Sequence, residues 1–98
     1  MIGWGSTYGA LREAVERLNT EGSKTKMLHL SEIWPFPAEA VSDELKRSRH
    51  SISVEGNSTG QMAHLIRAET GIKVDSKILR FDGRPISPQY ILEKFKEG

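Results

Sequence analysis

Apolar residues recur along this chain in two alternating rhythms. Leu11, Ala14, Val15 and Leu18 fall at i, i+3, i+4 and i+7, the stripe of one helix face. Ala38, Val41 and Leu45 repeat that spacing, as do Met62, Leu65 and Ile66, and finally Ile91, Leu92 and Phe95. Between the stripes lie short apolar runs: Met1 to Trp4, Lys26 to Leu30, Ser51 to Val54, and Ile78 to Phe81. Their β-branched content and length predict strands. Strand and helix therefore alternate four times. That order predicts an α/β fold: a three-layer sandwich around a mainly parallel sheet of about four strands. The first three strands are expected parallel with right-handed crossovers. The short link from Gly71 to Ser76, which holds Ile72 and Val74, leaves the direction of the fourth strand open.

The punctuation supports these boundaries. Gly22 and Gly71 stand where the first and third helices should stop. Glu13 and Arg17 are four apart on the outer helix side and can pair. Pro37 suits the first turn of the second helix, and Ser87-Pro88 reads as the cap and first residue of the last. Asp82-Gly83-Arg84-Pro85 is turn chemistry. In the stretch Ser51 to Gln61, a strand ends in the Gly56-Asn57 turn, and Ser58 stands three residues before Gln61. This is the spacing of a capping box, in which the Ser58 hydroxyl accepts from the Gln61 N–H and the Gln61 side chain reaches back.

Composition narrows the functional classes. Ninety-eight residues, 37% hydrophobic and 28% charged, describe one ordinary domain spanning 1–98. A formal net charge of +1 provides no long-range field for nucleic acid or an acidic membrane. With no cysteine, the chain has no disulfide and no thiolate ligand for a metal or cluster. No apolar run approaches membrane-spanning length, and the default location is cytoplasmic. His29, His50 and His64 are scattered without a second ligand at helical or turn spacing, so no metal site is expected.

Two turns carry the candidate chemistry. Gly5, Ser6 and Thr7 bring glycine and hydroxyls to a strand–helix junction whose free N–H groups could hold an anion. The surrounding glycines miss the GxGxxG spacing, and no P-loop lysine follows. Asn57, Ser58, Thr59 and Gln61 form the second turn, expected to open beside the first on the same sheet edge. Helix capping and tight-turn packing explain both turns without a ligand. Glu32, Glu55 and Asp82 could each lie near a strand end; Glu55 stands out because it directly precedes a turn. No catalytic residue set is specified. A third candidate is the loop Trp34, Pro35, Phe36 and Pro37, where two aromatics held by prolines could form an interface.

Four segments together resemble a known family. GWGSTYGALREAVERL, HLSEIWPFP, VEGNSTGQMAHLIRAETG and ILRFDGRPISP, in this order over nearly the whole chain, resemble the carboxyl-terminal, transketolase C-terminal-like domain of the α subunit of 2-oxoacid:ferredoxin oxidoreductases. One departure is Ser58, where the family commonly has a tyrosine; this strengthens the capping explanation there. The resemblance implies a piece of a longer subunit whose intact enzyme oxidatively decarboxylates a 2-oxoacid to an acyl-CoA, with 2-oxoglutarate one candidate. It implies thiamine diphosphate, coenzyme A and iron–sulfur clusters for the whole enzyme and no cofactor in this chain. The implied partners are the rest of the α subunit, the β subunit and, indirectly, ferredoxin, with neither nucleic acid nor membrane. This domain would then serve assembly and border the active-site region. The alternatives are a stand-alone interaction module built on the Trp34 loop and a small phosphate-binding α/β domain built on the two turns.

Overall fold

The computed structural model describes residues 1–30, 36–56, 60–80 and 84–97, apart from the Ser6 side chain. Its strands are β1 (Ile2–Trp4), β2 (Leu28–Leu30), β3 (Ile52–Glu55) and β4 (Ser76–Leu79); its helices are α1 (Tyr8–Thr20), α2 (Ala38–Arg47), α3 (Gln61–Thr70) and α4 (Pro88–Glu97). The strands form one sheet in the order β2-β1-β3-β4, and every pairing is parallel. The direction of β4, which the sequence left open, is thereby settled.

Two apolar clusters, one on each face, hold the layers together. On one face Leu11, Ala14, Val15 and Leu18 of α1 pack with Ile91 and Leu92 of α4 over Ile52, Val54 and Ile78. On the other, Val41 and Leu45 of α2 join Met62, Ala63 and Ile66 of α3 against Ile2, Leu30 and Val74. The sheet winds from β1 outward to β2, then returns past β1 to β3 and β4. Crossovers of one common hand must place α1 on the opposite face from α2 and α3 when the winding reverses, and they are so placed. The reversal point lies between β1 and β3.

Central strands in such a sheet are buried on both faces, and all four residues of β3 are. Strand side chains alternate, so Ile52 and Val54 meet α1 and α4 while Ser53 and Glu55 point to the α3 side. In β1, Gly3 faces α1 so closely that a Cβ there would stand 2.7 Å from Thr7 Oγ1 and 2.8 Å from Leu11 Cδ2.

Three elements differ by two residues from the sequence-based expectation. β2 starts at Leu28 rather than Lys26, and β4 runs Ser76–Leu79 rather than Ile78–Phe81. β4 is an edge strand, so only its inward positions need apolar residues. The N–H groups of Asp75 and Ser76, both bonded to the Ser51 carbonyl at 3.0 and 3.1 Å, fix its earlier start. The third difference is the beginning of α3. Gly60 is the residue before the helix, with φ +68°, and its carbonyl accepts from the His64 N–H at 3.0 Å. A left-handed Gly60 is not a helical residue, so α3 begins after it, two residues later than a Ser58 cap would place it; Ser58 itself lies outside the described residues.

Candidate functional site

The carboxyl edge of the sheet at the winding reversal is where an open α/β sheet leaves a crevice. Because β1 and β3 are parallel neighbours, Trp4-Gly5 and Glu55-Gly56 leave the sheet side by side on this edge. Asn57, Ser58 and Thr59 lie outside the described residues. So do Glu32, Trp34, Pro35 and Asp82.

From β1 the chain enters a single 3-10 turn, Gly5–Thr7, and runs directly into α1. Gly5 has φ +61°, a conformation that side-chain-bearing residues rarely adopt. Thr7 is buried, and its hydroxyl donates to the Trp4 carbonyl at 2.9 Å. It therefore folds the turn back on the strand rather than capping α1. Next to it Tyr8 is 44% exposed, and its ring meets the His29 ring edge-on at 5.0 Å. His29 Nε2 lies 3.1 Å from the Gly5 carbonyl oxygen, joining β2 to the turn. Sequence reasoning missed this pair, because nothing local relates positions 8 and 29.

The second turn is organised by Glu55. Its carboxylate is fully buried and accepts hydrogen bonds from the Met62 N–H and, at 3.2 Å, from the Ala63 N–H. The Ser53 hydroxyl, two residues back on the same strand face, donates to it at 3.2 Å. A strand-end acid thus supplies the capping oxygens for the first turn of α3, whose free N–H groups and dipole favour negative charge. The sequence had marked Glu55 as a strand-end residue beside a turn, but not as a buried one. Gly60 completes the junction: a Cβ there would come within 3.2 Å of Lys77 Cδ. Gln61 opens α3 on the surface.

Phe36 and Pro37 are the described part of the proposed interface loop. Phe36 is half-buried against the α2–α3 core cluster, so it serves the domain's own packing rather than standing out in water. Pro37 is exposed and immediately precedes α2, its carbonyl accepting from the Val41 N–H at 3.0 Å.

A hydrogen-bonded cluster at the opposite, amino edge superficially has the makings of a nucleophilic triad. His50 Nε2 lies 2.9 Å from Ser76 Oγ, and His50 Nδ1 lies 4.0 Å from Asp75 Oδ2. The second distance is too long for a hydrogen bond. Asp75 Oδ2 instead accepts from the Ser51 N–H at 2.7 Å and the Ser51 hydroxyl at 3.1 Å, while the Asp75 N–H donates to Ser51 Oγ. The Ser51 N–H, then its hydroxyl, hold the Asp75 carboxyl below its ordinary value; desolvation opposes this, and His50 adds a smaller pull downward. The cluster is a clamp between β3 and β4. Among the described residues no group of three or more His, Cys, Asp or Glu could hold a metal ion, and no helix is long and apolar enough to cross a membrane.

Known proteins give this geometry a context. The family described as pyruvate:ferredoxin oxidoreductase core domain II matches residues 1–91. The α subunit of 2-oxoacid:ferredoxin oxidoreductase 2 from Aeropyrum pernix is 38% identical over 86 residues, covering 88% of this chain and 13% of that subunit. A solved 2-oxoglutarate:ferredoxin oxidoreductase from Magnetococcus marinus, with 2-oxoglutarate, coenzyme A and succinyl-CoA bound, superposes with a TM-score of 0.90 at 38% identity. That match covers 98% of this chain and 17% of the solved one. The α chain of a probable 2-oxoacid ferredoxin oxidoreductase from Thermoplasma acidophilum matches at TM-score 0.62 and 37% identity, covering 98% of this chain and 85% of that one. The chain thus spans about one eighth of the Aeropyrum subunit and one sixth of the Magnetococcus chain.

Proposed function

The chain belongs to the pyruvate:ferredoxin oxidoreductase core domain II family, and we propose that it is a non-catalytic assembly domain within a 2-oxoacid:ferredoxin oxidoreductase α subunit. The observation that carries this reading is the carboxyl edge itself. Among the described residues its polar groups are bound to the fold: Thr7 to Trp4, Glu55 to the start of α3, His29 to Gly5. That edge offers a shaped, preorganised border to a neighbouring domain, with Tyr8 exposed upon it. It presents no nucleophile paired with a base among the described residues.

In this reading the reaction is oxidative decarboxylation of a 2-oxoacid, with 2-oxoglutarate the favoured substrate because the Magnetococcus enzyme carries it. Thiamine diphosphate, coenzyme A and iron–sulfur clusters are held by other parts of a cytoplasmic enzyme, and electrons leave to ferredoxin. The described residues of the carboxyl edge fit none of these groups. The chain has no cysteine to ligate a cluster. At the Gly5–Thr7 turn, Thr7 packs against Gly3 and its hydroxyl is already committed to the Trp4 carbonyl. The partners are the remainder of the α subunit and the β subunit, and the Trp34 loop adjoining half-buried Phe36 supplies part of the contact.

A viologen-dye assay tests the division of labour. With 2-oxoglutarate, coenzyme A and thiamine diphosphate, the purified 98-residue chain is expected to leave the dye oxidised. Reduction should require the other α-subunit domains and the β subunit, and co-purification with them should be lost in Trp34→Ala. Dye reduction by the chain alone would overturn the proposal, as would full association of the Trp34→Ala chain.

A further inference from the structure

The amino edge of the sheet has a chemistry that the assembly reading does not use. Two links reach it, one between α1 and β2 and the other between α2 and β3. Lys24 and Lys26 come from the first; Arg47, at the end of α2, and Arg49 come from the second. These four cations line one groove of about 660 Å³. The residues Ser23 and Thr25 line it beside the lysines, and Ile52 and Phe95 contribute apolar surface.

Charge in this groove is one-sided. Among the described residues Glu44 is its single lining acid, and that carboxylate already pairs with Arg47 at 3.5 Å. Among the described residues Lys24, Lys26 and Arg49 have no ion-pair partner. The whole chain carries only +1, so this is a local concentration and not a share of a basic protein. Like charges gathered around a concave surface raise the local potential and attract anions. The volume falls in the range of small-molecule sites, which are clefts rather than flat faces. Lysine offers a point charge, arginine a planar fork and the hydroxyls further donors; phosphate oxygens accept from all three.

We propose that this amino-edge groove binds a small molecule bearing two or more phosphate groups. Two walls, each contributing two cations, suit a ligand with more than one anionic group. Half-buried Phe95 adds an apolar side chain beside the cations. The site lies at the opposite edge of the sheet from the Gly5–Thr7 turn.

Amide NMR titration of the chain with inorganic pyrophosphate, and separately with ADP, tests the proposal. Saturable shifts are expected at Ser23 to Lys26 and Arg47 to His50, with none at Gly5 to Thr7. The double variant Lys26→Gln/Arg49→Gln should bind at least about tenfold more weakly, a loss of about 1.4 kcal/mol shared between the two removed cations. Both side chains are exposed, so the variant's dispersed spectrum reports an intact fold. Lys73→Gln, an exposed charge outside the groove, should bind as the parent does. Unperturbed 23–26 and 47–50 amides at saturating pyrophosphate would overturn the proposal. So would equal affinity in the double variant. Tighter binding of a hexaglutamate peptide at the same residues would also overturn it, marking the groove as a surface for an acidic polypeptide.

Discussion

Two carboxylates in this domain make nearly the same bonds in opposite surroundings. Glu55, at the carboxyl end of β3, accepts from two backbone N–H groups and a serine hydroxyl. Asp75, at the amino end of β4, accepts from one backbone N–H and a serine hydroxyl. Glu55 is fully buried, whereas about half of the Asp75 side-chain surface faces water. Water can replace what Asp75 provides, but it cannot reach the groups that Glu55 satisfies. The bonds look alike on paper; their worth is decided by what stands ready to replace them.

Removing Glu55 should therefore have the largest effect. Glu55→Ala leaves the Met62 and Ala63 N–H groups without their acceptor in a dry site and is expected to cost about 3 kcal/mol, read by urea unfolding. Glu55→Gln sharpens the test. Every described partner of this carboxylate donates, so an amide that replaces one oxygen with a donor should rescue only part of the loss. Complete rescue by Gln would show that Glu55 acts through shape alone.

A middle-sized effect is expected at Gly3, where the Cβ of an alanine would overlap Thr7 Oγ1 and Leu11 Cδ2. Gly3→Ala should destabilise by about 1–3 kcal/mol, the usual cost of overpacking, again by urea unfolding. It should also disturb the carboxyl-edge turn, because Thr7 must shift and release the Trp4 carbonyl. An unchanged unfolding midpoint would mean that α1 can move away without penalty.

The smallest effect, and the one with a pH signature, belongs to Asp75→Asn. The folded state holds this carboxyl below its ordinary value of 3.8, so its contribution is present above that pH and fades as pH falls through the lower folded value. The parent and Asp75→Asn chains should differ at neutral pH and converge in acid below 3.8, as followed by denaturation midpoints at successive pH values. A gap that survives in acid would make the clamp steric rather than electrostatic.

Much of the architecture was legible because its signals are local. Leu11, Ala14, Val15 and Leu18 are all buried, as their spacing required. Glu13 and Arg17 pair at 2.9 Å. Ser87 accepts from the Tyr90 N–H at 3.1 Å ahead of α4, and Gly71 ends α3 with φ +76°. Each of these depends on residues within a few positions of one another. The start of α3 was less legible, because Glu55 receives the Met62 and Ala63 N–H groups from seven and eight positions away, beyond the reach of any local cap signal.

Sequence alone determined the alternation of strands and helices, the inward stripes, most helix ends and the lack of cysteine ligands, because periodicity, capping and composition act over one or two turns of chain. Tertiary structure alone decided that β4 runs parallel, that Glu55 points inward, that Tyr8 meets His29, and that Lys24 and Lys26 share a groove with Arg47 and Arg49. Those pairings join positions about 20 residues or more apart, or turn on which face of the sheet a side chain meets. No local preference encodes them; they follow from the order in which the strands are laid side by side and the two faces on which the helices then pack.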